Sequence, residues 1–220
     1  MSASKSEKKS VEKNFYRVKI TELKSGKKVA NFRINCKDED SDTQSETKDG
    51  KTFYFKEFDT LVGKIKSLYF WTDTNKDESK QWDCLSIDLI DSDNQLECLT
   101  LGMNSSEAED FLKRLNNVNY QLEVTLKVYT IENDKGYWNN YLVIYQNDEK
   151  IVSSFSKENP LPDLKPVTVN GKTIWDKTEK LTALKQIGLD FNKRLNGQHE
   201  FEKSESSEST ADKKTAGKKK

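Results

Sequence analysis

Three consecutive strands are predicted in the stretch LVGKIKSLYFWTDTNKDESKQWDCLSIDLIDSDNQLECLTL, residues Leu61–Leu101. Apolar residues alternate with polar ones in Leu61–Trp71, Gln81–Ile90 and Leu96–Leu101, as side chains alternate between the two faces of a strand. Turn-forming residues at Asp91–Asn94 separate the second strand from the third. The stretch therefore predicts an antiparallel three-stranded meander.

The first of these strands contains a glycine. Strict alternation places Leu61, Tyr69 and Trp71 on one face of the strand and Leu68 on the other. Gly63 lies inside the strand, where glycine often marks a bulge or a tight bend. Small barrels use such bends to close, so we expect the sheet to curl here.

The apolar period changes from 2 to 3.6 after the third strand. Residues 108–115 carry apolar side chains spaced as on one face of a helix, which predicts a short amphipathic helix. Two further strands follow, at Leu122–Tyr129 and Tyr137–Gln146, with a turn at Asn133–Gly136. Over residues 58–156 the order strand, strand, strand, helix, strand, strand is that of a five-stranded OB-fold barrel.

The region before the barrel is predicted to be an N-terminal β extension, residues 14–57. It contains a hairpin, an acidic loop at 37–51 and a short strand at 52–58. Residues 1–13 are polar, and we expect them to be disordered.

The region after the barrel is predicted to be an arm, a hairpin and a helix, residues 157–197. All three prolines lie in the arm, Asn170-Gly171 is a strong hairpin signal, and Gly197 is the expected end of the helix. Residues 198–220 are predicted to be a disordered charged tail. The expected fold class is thus predominantly β, with a minor α+β character.

Composition sets broad limits on the protein. Charged residues make up 34% of the chain and apolar residues 33%, so the core must be modest. The formal net charge is +0, which neither supports nor excludes a nucleic-acid partner, because mixed charge can hide a basic stripe. No apolar run approaches the ~18 residues of a membrane span. We therefore expect a soluble cytoplasmic protein without a membrane partner.

Catalytic and metal-binding signatures are missing from the sequence. His199 is the single histidine, which leaves no ligands for a His-based triad or a zinc site. Asp38, Asp40 and Asp42 open like a calcium loop, but Thr43 stands where that loop requires glycine. We expect no enzyme, no cofactor and no metal site.

The three cysteines, Cys36, Cys84 and Cys98, form no C-x-x-C pair. The predicted hairpin would place Cys84 opposite Leu101 and Cys98 opposite Ile87, so these two are not cross-strand partners. We therefore expect buried, reduced thiols.

Aromatic residues and lysines are interleaved along the predicted strands. Aromatic rings can stack on bases and lysines can neutralise phosphates, which is the chemistry of single-stranded nucleic-acid binding. An OB-fold presents its binding face on the second and third strands and on the flanking loops. The predicted nucleic-acid-binding residues are Lys64, Lys66, Tyr69, Trp71, Trp82, Lys127, Tyr129, Trp138, Tyr141 and Tyr145.

Each of these residues also has a structural interpretation. Trp71 and Trp82 could plug the ends of the barrel, since large aromatic residues dominate cores. Tyr141 and Tyr145 could pack beneath the C-terminal arm, and the lysines could be ordinary solvated residues. The combination on neighbouring strands favours binding more than any single residue does.

Five motifs carry a resemblance to a known family. They are LVGKIKSLYF (61–70), KQWDCLSIDLID (80–91), AEDFLKRLNNV (108–118), VIYQNDEKIVSSF (143–155) and NGKTIWD (170–176). In this order and spacing they resemble single-stranded DNA-binding proteins encoded by tailed phages of Bacteroidetes hosts, crAss-like phages included. The resemblance implies an OB-fold that coats single-stranded DNA during phage DNA replication or recombination, without catalysis, in the host cytoplasm.

The resemblance also implies replication proteins as partners of an acidic C-terminal tail. Here the acidic stretch 200–212 is followed by lysines, so recruitment, masking of the site and added DNA contacts all stay open. RNA stays open as a ligand, since both nucleic acids stack alike. The alternative function is a non-catalytic protein-interaction or virion-structural β-barrel module, which the neutral net charge and the acidic loop favour.

Overall fold

The computed structural model describes the backbone of residues 13–23, 25–75 and 78–211, and the side chains of these residues up to 197. The chain divides after Ser154 into two compact units. The elements of the first unit are β1 (Lys13–Glu22), β2 (Lys28–Cys36), β3 (Gln44–Lys48), β4 (Lys51–Phe58), β5 (Thr60–Thr74), β6 (Gln81–Ile90), β7 (Leu96–Gly102), α1 (Ser106–Leu112), a 3₁₀ turn (Leu115–Asn117), β8 (Val124–Glu132), β9 (Trp138–Gln146) and β10 (Glu149–Lys150).

The strands of the first unit form one large mixed sheet. Their order is β10-β9-β8-β5-β6-β7-β1-β2-β4-β3, and the described pairings are antiparallel except that of β1 with β7. In this parallel pair Lys13 lies opposite Leu96 and Arg17 lies opposite Thr100. The protein is therefore predominantly β, and its N-terminal strands belong to the same sheet as the central meander.

The core lies on the inner face of this sheet. Leu85, Ile87 and Leu89, which were predicted to share one face of β6, are all fully buried. The helix α1 adds Phe111 and Leu112 to the core, and Ser105 begins it by accepting a hydrogen bond from the backbone N–H of Ala108.

The predicted five-stranded barrel is not closed. The order of elements is as predicted, from β5 through α1 to β9, but closure would require β9 to pair with β7. That edge of β7 is occupied by β1 instead. The sheet does curl, because the Thr130 hydroxyl of β8 donates a hydrogen bond of 2.6 Å to the Lys28 carbonyl of β2, but no ladder joins the two strands.

Two local features differ from the sequence predictions. The acidic loop predicted at 37–51 contains the edge strand β3, which turns into β4 at Asp49 and Gly50, both at positive φ. The β6–β7 register places Cys84 opposite Gly102 and Cys98 opposite Asp88, one residue from the predicted pairing. The thiols of all three cysteines are nevertheless free.

The second unit contains β11 (Lys165–Val169), β12 (Lys172–Asp176) and α2 (Thr178–Ala211). The hairpin turns at Asn170 and Gly171 as predicted, both at positive φ. The backbone of α2 continues past Gly197, where its end was expected. Residues 198–211 of the predicted disordered tail belong to the backbone of α2, whereas residues 1–12 and 212–220 lie outside the described residues, where the prediction of disorder stays a prediction. Within the described backbone, neither helix combines the length and apolar character that a membrane crossing requires.

Candidate nucleic-acid interface

A β-bulge in β5 decides which side chains reach the outer face of the sheet. The pairing with β6 shifts between Ile65 and Ser67, so the side-chain phase reverses there. Leu68 consequently joins the core face, where it is buried. Tyr69 and Trp71 point outward, so the prediction that they share a face with Leu61 is wrong.

Three predicted residues meet on this outer face. Cross-strand pairing places Tyr69 opposite Ser86 and Trp71 opposite Cys84, and Trp82 stands on the same face one pair further along. The side chains line a groove of ≈ 840 Å³ that spans β5, β6, β7 and β1. Tyr69 is 52% exposed, and Trp71 and Trp82 are each 41% exposed, so these rings are open to a ligand rather than buried in a barrel end.

The ring of Trp71 is anchored by its polar edge. Its indole N–H donates a hydrogen bond of 2.9 Å to the Ser86 hydroxyl, which lies 3.2 Å from the Thr100 hydroxyl. A hydroxyl pair at the base of the groove thus orients the indole while its ring surface stays accessible. Such pre-organisation lowers the ordering cost of stacking a base.

The opposite wall of the groove comes from β1, which contributes Lys13, Phe15 and Arg17. Phe15 is 61% exposed. The Lys13 ammonium lies 5.5 Å from the centre of the Phe15 ring and 5.8 Å from that of Tyr69. A cation thus lies between the two walls, in the distance range of cation–π attraction.

Lys13 is held there by the buried carboxylate of Asp88, 2.9 Å away. The Ser67 hydroxyl donates a further hydrogen bond of 3.3 Å to Asp88. Burial is the largest single effect and opposes the charge of Lys13, but the hydrogen bond to Asp88 and the attraction of nearby anionic groups together raise the pKa of Lys13 above its ordinary value. The lysine is therefore charged at neutral pH, and the Asp88 carboxylate balances most of this charge.

The groove is close to neutral in total. Arg17 adds a positive charge, whereas Asp73 and Glu107 also line the groove. Cys84 and Cys98 form part of the floor, and burial raises the pKa of both thiols, so they are protonated at neutral pH. Aromatic surface, rather than net positive charge, distinguishes this groove.

The remaining predicted lysines lie on the outer surface away from the aromatic groove. Lys64 and Lys127 are exposed on β5 and β8, and Lys66 is exposed at the bulge. Because β5 and β8 are neighbours in the sheet, Lys64 and Lys127 follow the same outer face beyond Tyr69. These lysines add positive charge to the surface beyond the groove but do not line the groove itself.

The predicted tyrosines of β8 and β9 lie apart from the aromatic groove. Tyr129 and Tyr141 are cross-strand partners whose rings stack at 5.4 Å with an interplanar angle of 19°. Both are half-buried, as is Tyr145, and burial raises the pKa of Tyr129. Leu142 is fully buried on the opposite face, and Trp138 shares that face. Trp138 therefore does not join these tyrosines.

The sequence interpretation missed the contribution of β1. Lys13, Phe15 and Arg17 stand at alternate positions, the same cation and aromatic pattern that identified the central strands. Pattern alone could have nominated them. It could not place them in the groove, because the parallel pairing of β1 with β7 joins segments far apart in the chain.

Comparison of the chain with protein-family models, curated proteins and solved structures found no match. Among the described residues, no group of three or more His, Cys, Asp or Glu side chains is arranged to hold a metal ion. The geometry of the aromatic groove is therefore the feature of the protein that indicates a function.

Proposed function

We propose that this protein binds single-stranded DNA with little sequence preference, and that the aromatic groove is its base-stacking platform. One observation carries the proposal: Phe15, Tyr69, Trp71 and Trp82, all substantially exposed, line one groove beside a fixed cation. Base–aromatic stacking contributes about 1–3 kcal/mol per base and tolerates any sequence, because every base has a π face.

The sizes and positions of the side chains support a single strand as the ligand. Stacking requires unpaired bases, so a duplex would leave the rings of the groove without partners. Arg17 is placed to neutralise a phosphate at the groove, and Lys64, Lys66 and Lys127 to do so along the surface beyond it. Half-buried Tyr129, Tyr141 and Tyr145 form a second aromatic patch, to which we assign a minor share of the contacts.

The resemblance to phage proteins supplies the biological setting of the proposal. We interpret β5–β9 with α1 as an OB-type unit whose closing edge is taken over by β1. The protein would coat single-stranded DNA during phage replication or recombination, without catalysis, in the host cytoplasm. Replication proteins would then be partners of the charged C-terminal tail.

Alanine at Trp82 tests the proposal directly. We expect Trp82→Ala to weaken oligo-dT binding roughly 5- to 150-fold, the range of one lost base stack. Trp175→Ala is the matched control, because Trp175 is 60% exposed on the β11–β12 hairpin and is not one of the residues that line the groove. Fluorescence anisotropy with labelled oligo-dT and the matching duplex, at low and moderate salt, measures both affinities.

The outcomes separate clearly. Preferred binding of the single strand that Trp82→Ala weakens and Trp175→Ala spares supports the groove as the site. Equal affinity of both variants and the parent would remove the groove from the mechanism. A parent protein that binds neither oligo-dT nor duplex at low salt would overturn DNA binding itself.

A protein-interaction module is the second candidate, and the β11–β12 hairpin favours it. Val167, Val169, Ile174 and Trp175 are all exposed there, although a two-stranded hairpin is marginally stable without packing. Exposed apolar surface of this kind is typical of protein contacts. Loss of a partner on Trp175→Ala, with DNA affinity absent in the parent, would decide for this candidate.

A further inference from the structure

A second groove, of ≈ 850 Å³, opens on the outer surface of β1 and β2. It shares Lys13, Phe15, Arg17 and Val18 with the aromatic groove. The shared residues all belong to β1, so the two grooves lie on either side of the outer face of this one strand. A ligand in the aromatic groove that crosses Phe15 enters the second groove.

One wall of the second groove is fixed by Arg33. Its guanidinium forms ion pairs with Glu57 at 2.7 Å and with Glu46 at 2.9 Å, and lies 3.6 Å from the centre of the Phe55 ring. Burial opposes the charge of Arg33, but the hydrogen bonds to Glu46 and Glu57 raise its pKa. Arg33 is thus committed to the wall, and its charge is already balanced.

Three exposed cations line the same groove: Arg17, Lys19 and Lys37. Arg17 and Lys19 are two residues apart on one face of β1, so their backbone positions are ~7 Å apart along the strand. Four exposed acids also line the groove, but Asp40 is paired with Lys56 at 2.9 Å and Glu46 with Arg33, which leaves Asp38 and Glu39 as its acidic border. The β1 side therefore attracts phosphates, and the acidic border repels them.

We propose that the second groove is a phosphate-binding subsite for the same single strand, which crosses β1 from the aromatic groove and ends at the acidic border. This inference rests on the proposed function. It divides the recognition of the strand into two parts: bases stack between β1 and β5–β6, and phosphodiester groups of the adjoining nucleotides contact Arg17, Lys19 and Lys37. A strand too short to cross Phe15 would use the first part alone.

The test compares oligo-dT of about 4 and about 16 nucleotides, the two ends of the usual range for one such site. The variant Lys19→Ala/Lys37→Ala removes two cations that line only the second groove. We expect about tenfold weaker binding of the long strand, unchanged binding of the short one, and a salt slope reduced by about 1.4, which corresponds to ~0.7 per lost phosphate contact.

Lys48→Ala/Lys51→Ala is the matched control. It removes the same charge from the exposed β3–β4 turn, outside both grooves, and we expect neither affinity to change. If Lys19→Ala/Lys37→Ala binds the long strand as tightly as the parent, the subsite is refuted while DNA binding stands. If Lys19→Ala/Lys37→Ala weakens the binding of the short and the long strand equally, the division of recognition into two parts is refuted. A parent that binds neither length would overturn the proposed function, and this inference with it.

Discussion

At the scale of single residues, Gly63 is a glycine whose neighbours leave no room for a side chain. A Cβ atom built there would lie 2.7 Å from the Ile90 carbonyl oxygen and 3.2 Å from the Leu89 Cβ. The backbone of β5 approaches β6 closely just before the bulge, and only glycine permits that approach. The sequence predicted a bend at Gly63, and the register shift lies a few residues further on.

We expect Gly63→Ala to lower the free energy of unfolding by about 1–3 kcal/mol, because the neighbouring strand must move. Gly102→Ala is the control, since a Cβ there meets nothing within 4 Å. Urea denaturation followed by circular dichroism measures both variants. Equal stabilities of the two variants would show that the close approach at Gly63 is unimportant.

At the scale of elements, β1 is held in the sheet by an ion pair whose two side chains differ in exposure. The Lys13 side chain is 30% exposed and the Asp88 side chain 4% exposed. Lys13→Met would leave a buried carboxylate without its cation, which we expect to destabilise the protein by about 3 kcal/mol. Asp88→Asn should cost less, because Lys13 can turn towards water.

Hydrogen exchange and urea denaturation test this asymmetry. Faster exchange of the β1 amides in Lys13→Met than in Asp88→Asn is the expected result, since Lys13 ties β1 to β6 across β7. A larger loss of stability in Asp88→Asn would reverse our assignment of the dominant cost.

The elements also show what local sequence can predict. Alternation identified β5 to β9, and Asn170-Gly171 identified the β11–β12 hairpin, because these signals act within a few residues. The phase reversal at Ser67 was not predictable, because a bulge leaves the composition of the strand unchanged. Tyr69 and Trp71 were therefore assigned to the wrong face, although both are exposed in the groove.

The pairing of β7 with β1 could not be predicted, because the two strands are far apart in the chain. Lys13, Phe15 and Arg17 gain their place in the groove only through contact with β7, which no local pattern encodes. Trp138 was chosen as a candidate because it is aromatic. The alternation of β9, however, puts it on the face of Leu142 rather than on that of Tyr141. Long-range strand pairing and the face on which each side chain lies, rather than residue type, therefore limited how much of the candidate site could be predicted.

At the scale of the whole molecule, stability should fall in alkali. Burial raises the pKa of Cys84 and Cys98 above 9.0, and burial, followed by the hydrogen bond to Glu97, raises the pKa of Tyr16 above 10.0. Above these ordinary values the unfolded chain loses protons that the folded protein retains. The unfolded state then binds fewer protons, so the free energy of unfolding decreases as pH rises.

Lys13 acts in the same direction. Its pKa is raised in the folded protein, so its stabilising ion pair is fully present below 10.5 and is lost as pH rises through the folded value. We expect the melting temperature to decline above about pH 9 and more steeply above about pH 10. Circular dichroism melts over this range measure the decline, which Tyr16→Phe should reduce at its alkaline end. A constant melting temperature up to about pH 11 would contradict the assignment.

The parallel pairing of β1 with β7 has a consequence for biosynthesis. Asn14 and Glu97 share a hydrogen bond although they are 83 residues apart in the chain. A ribosome that adds ≈ 5–20 residues per second needs about 4–17 s to translate that interval. During this time the nascent β1 can pair with β2 but lacks β7. The aromatic groove therefore cannot form until the β6–β7 hairpin has emerged.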